Sequence, residues 1–101
     1  MILTRERSGE TIALQKGQQV LLSLPENPTT GYRWTVAADG VDIADDRYAE
    51  DAKGSVGGGG ARTLRLVATR TGDAVVKATL QRSWEDSSKA VDRCEFRFKV
   101  S

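Results

Sequence analysis

The run CEFRFKV at residues 94–100 places apolar and polar side chains in strict alternation. Because successive side chains of a β-strand point to opposite faces of a sheet, this period of two predicts a strand with one buried face. A nearly continuous apolar run at residues 20–24 predicts a central strand. The alternation recurs in shorter runs upstream, at residues 12–14, 32–36, 64–66 and 76–81.

Glycine, proline and small polar residues separate these runs, and no segment carries a sustained 3.6-residue apolar period. Residues 37–51 are ambiguous, because they fit either a short strand around residues 47–49 or one helical turn. Seven or eight short strands predict an all-β fold, an immunoglobulin-like antiparallel β-sandwich with Trp34 in its core. Cys94 is the only cysteine, so the sandwich has no internal disulfide and is held by packing alone.

Length and composition exclude several classes of function. The 101 residues fit a single domain, residues 1–101. The 15 Lys and Arg residues nearly balance the 14 Asp and Glu residues and form no stripe, which argues against a nucleic-acid or membrane partner. Histidine is absent, so a Ser-His-Asp triad, a Cys-His dyad and a His-ligated zinc site are excluded. We expect neither an enzyme nor a bound metal or cofactor.

The remaining polar and thiol groups suggest structural roles. The pairs Asp45-Asp46 and Glu85-Asp86 fit a solvated surface better than paired catalytic carboxylates, because neighbours on a strand point to opposite faces. Alternation with the C-terminal phenylalanines places Cys94 on the core face. No apolar stretch near Met1 is long enough for a signal peptide or a membrane span. We therefore expect a monomer that is either cytoplasmic or the mature form of an exported protein.

The segment Asn27-Pro28-Thr29-Thr30-Gly31-Tyr32 restricts its own backbone. Pro28 fixes its own φ and confines Asn27 to extended geometry. Thr29 and Thr30 are stiff at χ1, and the following glycine can adopt a positive φ. The segment predicts a short, rigid projection. Such a projection suits either a binding loop that is ordered before docking or a rigid turn of the sandwich.

A second unusual segment is Gly57-Gly58-Gly59-Gly60. Backbone without side chains can approach another surface closely and offer its N–H and C=O groups. The alternative is a flexible hairpin tip. A phosphate-binding loop is not favoured, because no Gly-Lys-Ser/Thr follows the glycines.

The third segment is Arg82-Ser83-Trp84-Glu85, in which a tryptophan leaves a strand and enters a polar loop. Trp84 fits either a lid on the edge of the core or an exposed anchor, since Trp and Arg are enriched at interface hot spots. In an immunoglobulin-like sandwich with strands lettered in order, the three segments are the BC, DE and FG loops. These loops cluster at one end of the sandwich, so we expect them to form one continuous edge.

Taken together, the three segments resemble the chagasin-like inhibitors of cysteine peptidases. Residues 27–32 are similar to that family's Asn-Pro-Thr-Thr-Gly-Tyr/Phe motif, and Gly57, Gly59 and Gly60 are similar to its Gly-x-Gly-Gly loop. Arg82 and Trp84 are similar to its Arg-Pro-Trp loop, although Ser83 stands where the family has proline. That difference removes a φ constraint from the third loop. The resemblance covers essentially the whole chain.

The resemblance implies an immunoglobulin-like fold and reversible, tight-binding inhibition of papain-family cysteine peptidases. It further implies that Thr29 and Thr30 lie over the catalytic residues of the enzyme, with the Gly57–Gly60 segment beside the cleft. Trp84 then packs on the primed side of the cleft and Arg82 supports its loop. A different class of function, an immunoglobulin-like adhesion or carbohydrate-binding module, requires exposed aromatic platforms such as Trp84 and Tyr48.

Overall fold

The computed structural model of the chain describes residues 1–50, 59–82 and 84–101. Short 3-10 turns lie at Arg5–Arg7, Pro28–Thr30 and Ser87–Lys89. None of the helical turns in these ranges is long and apolar enough to cross a membrane. The same ranges contain eight strands, which are β1 (Ile2–Thr4), β2 (Thr11–Leu14), β3 (Gln19–Glu26), β4 (Tyr32–Asp39), β5 (Asp42–Glu50), β6 (Gly60–Val67), β7 (Gly72–Arg82) and β8 (Asp92–Val100).

The strands form two four-stranded sheets, with the orders β1-β3-β6-β5 and β2-β8-β7-β4. If β1 and β2 are taken as two halves of strand A, these are the A-B-E-D and A′-G-F-C sheets of an immunoglobulin-like sandwich. The sequence prediction of this fold class is therefore confirmed. The ambiguous stretch after residue 37 contains β5, a strand with a β-bulge between Ile43 and Asp45. Strand β1 was not predicted, because three residues are too few to show a period.

Two strand pairs are parallel, so the sandwich is mostly and not wholly antiparallel. β1 pairs in parallel with β3, and β2 pairs in parallel with β8. The chain crosses from one sheet to the other through the Arg5–Arg7 turn and returns after β2. β1 and β3 consequently run toward the same end of the sandwich, while β2 and β8 run away from it. Alternation of apolar residues carries no information about strand direction.

The inner faces of the two sheets form one apolar core. In β8, the four alternating apolar residues predicted to face inward are all buried, and so is Trp34, which is 4% exposed. In β3, only every second residue of the apolar run is buried, and Leu21 points outward with 40% of its surface exposed. Tyr32, the first residue of β4, is only half-buried. The most deeply buried large side chains are Leu3, Val20, Leu22, Leu24, Leu64, Leu66, Val76, Phe96 and Phe98.

Candidate functional site

The connections β3–β4, β5–β6 and β7–β8 all leave the same end of the sandwich. In one sheet, the last residue of β3, Glu26, pairs with Gly60, and so does the last residue of β5. In the other sheet, the first residue of β4, Tyr32, pairs with Arg82 at the end of β7. The short connection of residues 27–31 passes between the two sheets. We call this end of the molecule the loop end.

The β3–β4 connection is held in shape by hydrogen bonds to Asn27. Its side-chain Oδ1 accepts bonds from the Thr29 N–H at 3.1 Å and from the Thr29 hydroxyl at 2.6 Å. Its backbone oxygen accepts bonds from the Thr30 N–H at 3.2 Å and from the Thr30 hydroxyl at 2.7 Å. Gly31 then takes a positive φ of 81°, and the Tyr32 N–H donates to the Thr30 hydroxyl. Thr29 and Thr30 are both exposed, so the connection presents a preformed threonine tip to solvent.

This threonine tip lies between parts of the other two segments. A Cβ placed on Gly31 would lie 3.4 Å from the Cη2 atom of Trp84, which shows that the indole ring covers this glycine. On the other side, a Cβ placed on Gly59 would lie 3.1 Å from the Glu26 carbonyl oxygen and 3.3 Å from the Asn27 Cβ. The fold therefore brings the three segments into contact along one edge.

Trp84 is exposed, and it was expected to be either a lid on the core or an exposed anchor. Its exposed fraction is 72%, the largest among the large apolar residues of the described ranges. The Arg82 guanidinium carbon lies 4.7 Å from the centre of the Tyr32 ring and 5.8 Å from that of Trp84. Arg82 also pairs with Glu85 at 3.5 Å. This arrangement links the third segment to the beginning of β4 through cation–π contacts.

The structure describes two of the four glycines, Gly59 and Gly60, and they have different surroundings. Gly59 borders the threonine tip, whereas Gly60 is already the first residue of β6. A Cβ on Gly60 would collide with the Ala49 carbonyl oxygen and lie 2.8 Å from the Tyr48 hydroxyl oxygen. Strand pairing inside this molecule is therefore sufficient reason for glycine at that position. Gly57, Gly58 and Ser83, which the sequence analysis assigned to the site, lie outside the described residues.

A buried ion pair lies directly beneath the tip. Glu26 is 4% exposed, and its carboxylate accepts hydrogen bonds from Arg62 Nη2 and Nε, both at 3.1 Å. Arg62 also donates to Asp46 at 2.9 Å. The hydrogen bonds to Glu26 hold the pKa of the Arg62 guanidinium above its usual value, despite the opposing effect of burial.

Glu26 and Arg62 were not among the residues predicted for the site, although the sequence carries a signal for both. Both residues occupy positions that face inward according to the period of their strands, where a charged side chain stands out. The apolar residues on the same inward faces are Val20, Leu22 and Leu24 in β3 and Leu64 and Leu66 in β6.

The acidic and thiol groups of residues 1–50, 59–82 and 84–101 form no cluster suited to a metal ion. No three Cys, Asp or Glu residues in these ranges lie close enough to hold a metal ion. Cys94 is buried, and burial raises the pKa of its thiol to about 11, which leaves it protonated and unreactive at neutral pH. Asp45 pairs with Arg47 at 2.8 Å, and Asp86 accepts a hydrogen bond from the Ser88 hydroxyl.

The six aromatic residues do not form the platform that a carbohydrate-binding module requires. Tyr32 and Tyr48 are half-buried, and Trp34, Phe96 and Phe98 are buried. Trp84 is therefore the one aromatic side chain that is widely exposed, and its ring lies against Gly31.

Comparison with known proteins finds similarity to peptidase inhibitors over nearly the whole chain. The model of the chagasin family of peptidase inhibitors I42 matches residues 13–100. The chain is 33% identical over 103 residues to Amoebiasin-1 of Entamoeba histolytica, covering 100% of this chain and 98% of that protein. It is 24% identical to Chagasin of Trypanosoma cruzi, covering 98% and 96% of the two chains. The crystal structure of EhICP2, a cysteine protease inhibitor from Entamoeba histolytica, superposes with a TM-score of 0.90 at 21% identity, covering 99% of this chain and 94% of that one.

Proposed function

This chain belongs to the chagasin family of peptidase inhibitors I42, and we propose that it blocks papain-family cysteine peptidases reversibly by laying three loops across the active-site cleft. The observation that carries this proposal is the threonine tip, exposed and internally hydrogen-bonded, with Gly59 on one side and Trp84 on the other. The peptidase-contacting residues are proposed to be Asn27, Pro28, Thr29, Thr30, Gly31, Tyr32, Gly57, Gly58, Gly59, Gly60, Arg82, Ser83 and Trp84.

A tip that is ordered before binding favours affinity. The hydrogen bonds from Thr29 and Thr30 to Asn27 already restrict the tip in the free protein. Docking then costs less conformational entropy than it would for a loop that must first become ordered. Three adjacent loops can supply the roughly 800 Å² per partner of a standard protease–inhibitor interface.

The geometry of the tip also explains how it could occupy a peptidase cleft without being cleaved. Cleavage requires a carbonyl carbon near the nucleophile, with its oxygen in the oxyanion hole. The Asn27 carbonyl oxygen is already bonded to the Thr30 N–H and hydroxyl, and residues Pro28–Thr30 form a 3-10 turn instead of an extended substrate chain. The tip therefore fills the space without offering a correctly placed scissile bond, and inhibition is steric.

The flanking segments are proposed to give the tip its orientation on the enzyme. Gly57–Gly60 would lie beside the cleft and exchange backbone hydrogen bonds with it, since glycines allow a close approach. Trp84 would pack on the primed side as an apolar anchor, as its exposure allows. Arg82 would keep the indole close to the tip through its contacts with Tyr32 and Trp84.

Titration of active papain with the purified protein tests this function. We expect a stoichiometric loss of peptidase activity that recovers on dilution, and an inhibitor that remains uncut after prolonged incubation. A variant at the opposite end of the sandwich, Lys16→Ala, is the control and should inhibit as well as the unaltered protein. Undiminished papain and cathepsin activity at micromolar inhibitor would refute the proposal, and glycan binding without inhibition would favour the carbohydrate-binding module.

A further inference from the structure

The Glu26 carboxylate occupies an unusual position for a charged group. It is the last residue of β3, and its side chain points into the space between the sheets, with 1% of the side chain exposed. A carboxylate removed from water is tolerated only where hydrogen bonds and an opposite charge compensate for lost hydration. Glu26 therefore needs its hydrogen-bond partners. The strands that carry these partners are the strands that the carboxylate joins.

One partner lies on β4. The Trp34 N–H donates to Glu26 Oε1 at 2.8 Å. β4 is the outer strand of its sheet in the described part of the chain, so this N–H donates to the carboxylate and not to a neighbouring strand. The Trp34 indole N–H also donates to the Pro25 carbonyl oxygen at 2.7 Å. These two bonds join both ends of the β3–β4 connection, across the gap between the sheets.

The other partner lies on β6. Arg62 donates two hydrogen bonds to Glu26 and a third to Asp46 on β5. Strands β5 and β6 are the two ends of the connection that contains the glycines. Glu26 thus bonds to one strand at the base of the threonine tip and to another at the base of the glycine loop.

We propose that Glu26 is a positioning residue for inhibition, which sets the threonine tip against strands β5 and β6 through Arg62 and the Trp34 N–H. This inference rests on the proposed function. Glu26 is too deeply buried to contact a peptidase, so its effect on inhibition is indirect. Without its carboxylate, the tip and the ends of β5 and β6 adopt several relative arrangements, of which a fraction fits the cleft.

This role has a kinetic consequence that a contact residue does not share. When only a fraction of the free inhibitor molecules has the arrangement that can bind, the apparent affinity equals the intrinsic affinity multiplied by that fraction. The bound complex still contains the aligned arrangement, so the dissociation rate is nearly unchanged and the loss appears in the association rate. For a contact residue such as Trp84, the loss appears mainly in the dissociation rate.

The test compares association and dissociation rates with papain for the unaltered protein, Glu26→Gln and Trp84→Ala. In Glu26→Gln, the side-chain amide oxygen can still accept the Trp34 N–H, but the negative charge opposite Arg62 Nε and Nη2 is lost. If about one tenth of the free variant molecules have the arrangement that can bind, the association rate falls about tenfold. We expect the dissociation rate to stay within about twofold of that of the unaltered protein. Inhibition by the unaltered protein in the same assay confirms the proposed function independently of the variant.

Two further variants separate positioning from stability. Leu14→Val removes a methylene from a buried residue of β2 at the opposite end of the sandwich. It should lower the melting temperature and leave both rates unchanged. If Glu26→Gln does not fold, Arg62→Lys is decisive, because lysine keeps the charge but cannot form the double hydrogen bond. Unchanged association rates in the folded Glu26 or Arg62 variant would overturn the inference, as would a loss confined to the dissociation rate.

Discussion

At the scale of single residues, the threonine hydroxyls act within the loop. Both donate to Asn27, and the Thr30 hydroxyl additionally accepts the Tyr32 N–H. A sequence motif of stiff residues around a proline therefore corresponds to a closed set of hydrogen bonds that holds the tip. The same hydroxyls are exposed, so they are available to a partner as acceptors.

Thr30→Ala should weaken inhibition while the domain stays folded. The substitution removes the hydrogen bond that the hydroxyl donates to Asn27 and the one that it accepts from Tyr32. A loss of about 1 kcal/mol of binding free energy raises the inhibition constant about fivefold. Because the residue is exposed, the melting temperature should fall by less than about 4 °C. Inhibition constants and thermal melts are the measurements, with Thr30→Ser as the control that keeps the hydroxyl. An unchanged inhibition constant for Thr30→Ala would show that the tip does not contribute.

Trp84→Ala should weaken inhibition more strongly. Exposed tryptophans that become buried in an interface typically contribute about 2 to 4 kcal/mol, which corresponds to a rise in the inhibition constant of roughly 30- to 1000-fold. Thermal stability should hardly change, since 72% of the side chain is exposed in the free protein. Trp84→Phe retains an aromatic anchor and should lose less. Equal inhibition by the alanine variant and the unaltered protein would remove Trp84 from the site.

At the scale of strands and turns, two glycines show how position decides the outcome of one substitution. Gly40 has a φ of 89° in the turn between β4 and β5, and a Cβ there would lie 2.7 Å from the Ala74 Cβ. Gly60 is the first residue of β6, and its lack of a side chain allows β5 to approach β6 at this point. The first glycine lies at the end of the sandwich opposite to the proposed site, and the second lies beside it.

Gly40→Ala and Gly60→Ala should therefore differ in function and agree in stability. Each creates a backbone or side-chain clash and should destabilise the fold by about 1 to 3 kcal/mol. Only Gly60→Ala should also raise the inhibition constant, because it separates the two strands that carry the glycine loop. Chemical denaturation and inhibition assays on both variants provide the comparison. A similar loss of inhibition in Gly40→Ala would mean that general destabilisation is the cause.

At the scale of the whole molecule, the N-terminal segment ties the two sheets together. Arg5 lies in the turn that crosses between them and donates two hydrogen bonds to Asp92, at 2.6 and 3.0 Å. Asp92 is the first residue of β8, so this pair connects the N-terminal crossing with the C-terminal strand. The Arg5 guanidinium holds the pKa of the Asp92 carboxyl below its usual value.

This ion pair should make stability depend on pH in the acidic range. A carboxyl whose pKa is lower in the folded state stabilises the protein above its unfolded pKa, near pH 4, and the stabilisation is lost as pH falls through the folded value. Asp92→Asn should lower the melting temperature at pH 7 and reduce its fall between about pH 4 and pH 2. Thermal melts across pH are the measurement. Parallel curves for the two proteins would show that the pair does not contribute.

The fold class could be predicted because the apolar alternation that marks a strand is a local pattern. Alternation of apolar residues identified the inward face of β8 and the positions of β2, β4, β6 and β7, and the burial of those faces agrees with it. The stiff motif at residues 27–32 likewise predicted a rigid tip, because φ restriction and χ1 stiffness are properties of the residues themselves.

The sequence by itself thus determined most of the strands, their buried faces and the rigidity of the threonine tip, but not β1 or β5. Only the tertiary structure decided the parallel pairing of β1 with β3 and of β2 with β8. It alone also decided the exposure of Trp84 and the contact of its ring with Gly31. It also decided the ion pair of Glu26 with Arg62, 36 positions further along the chain. The physical reason is that a period of two specifies the face of a side chain, whereas direction, neighbours and partners depend on how distant segments pack.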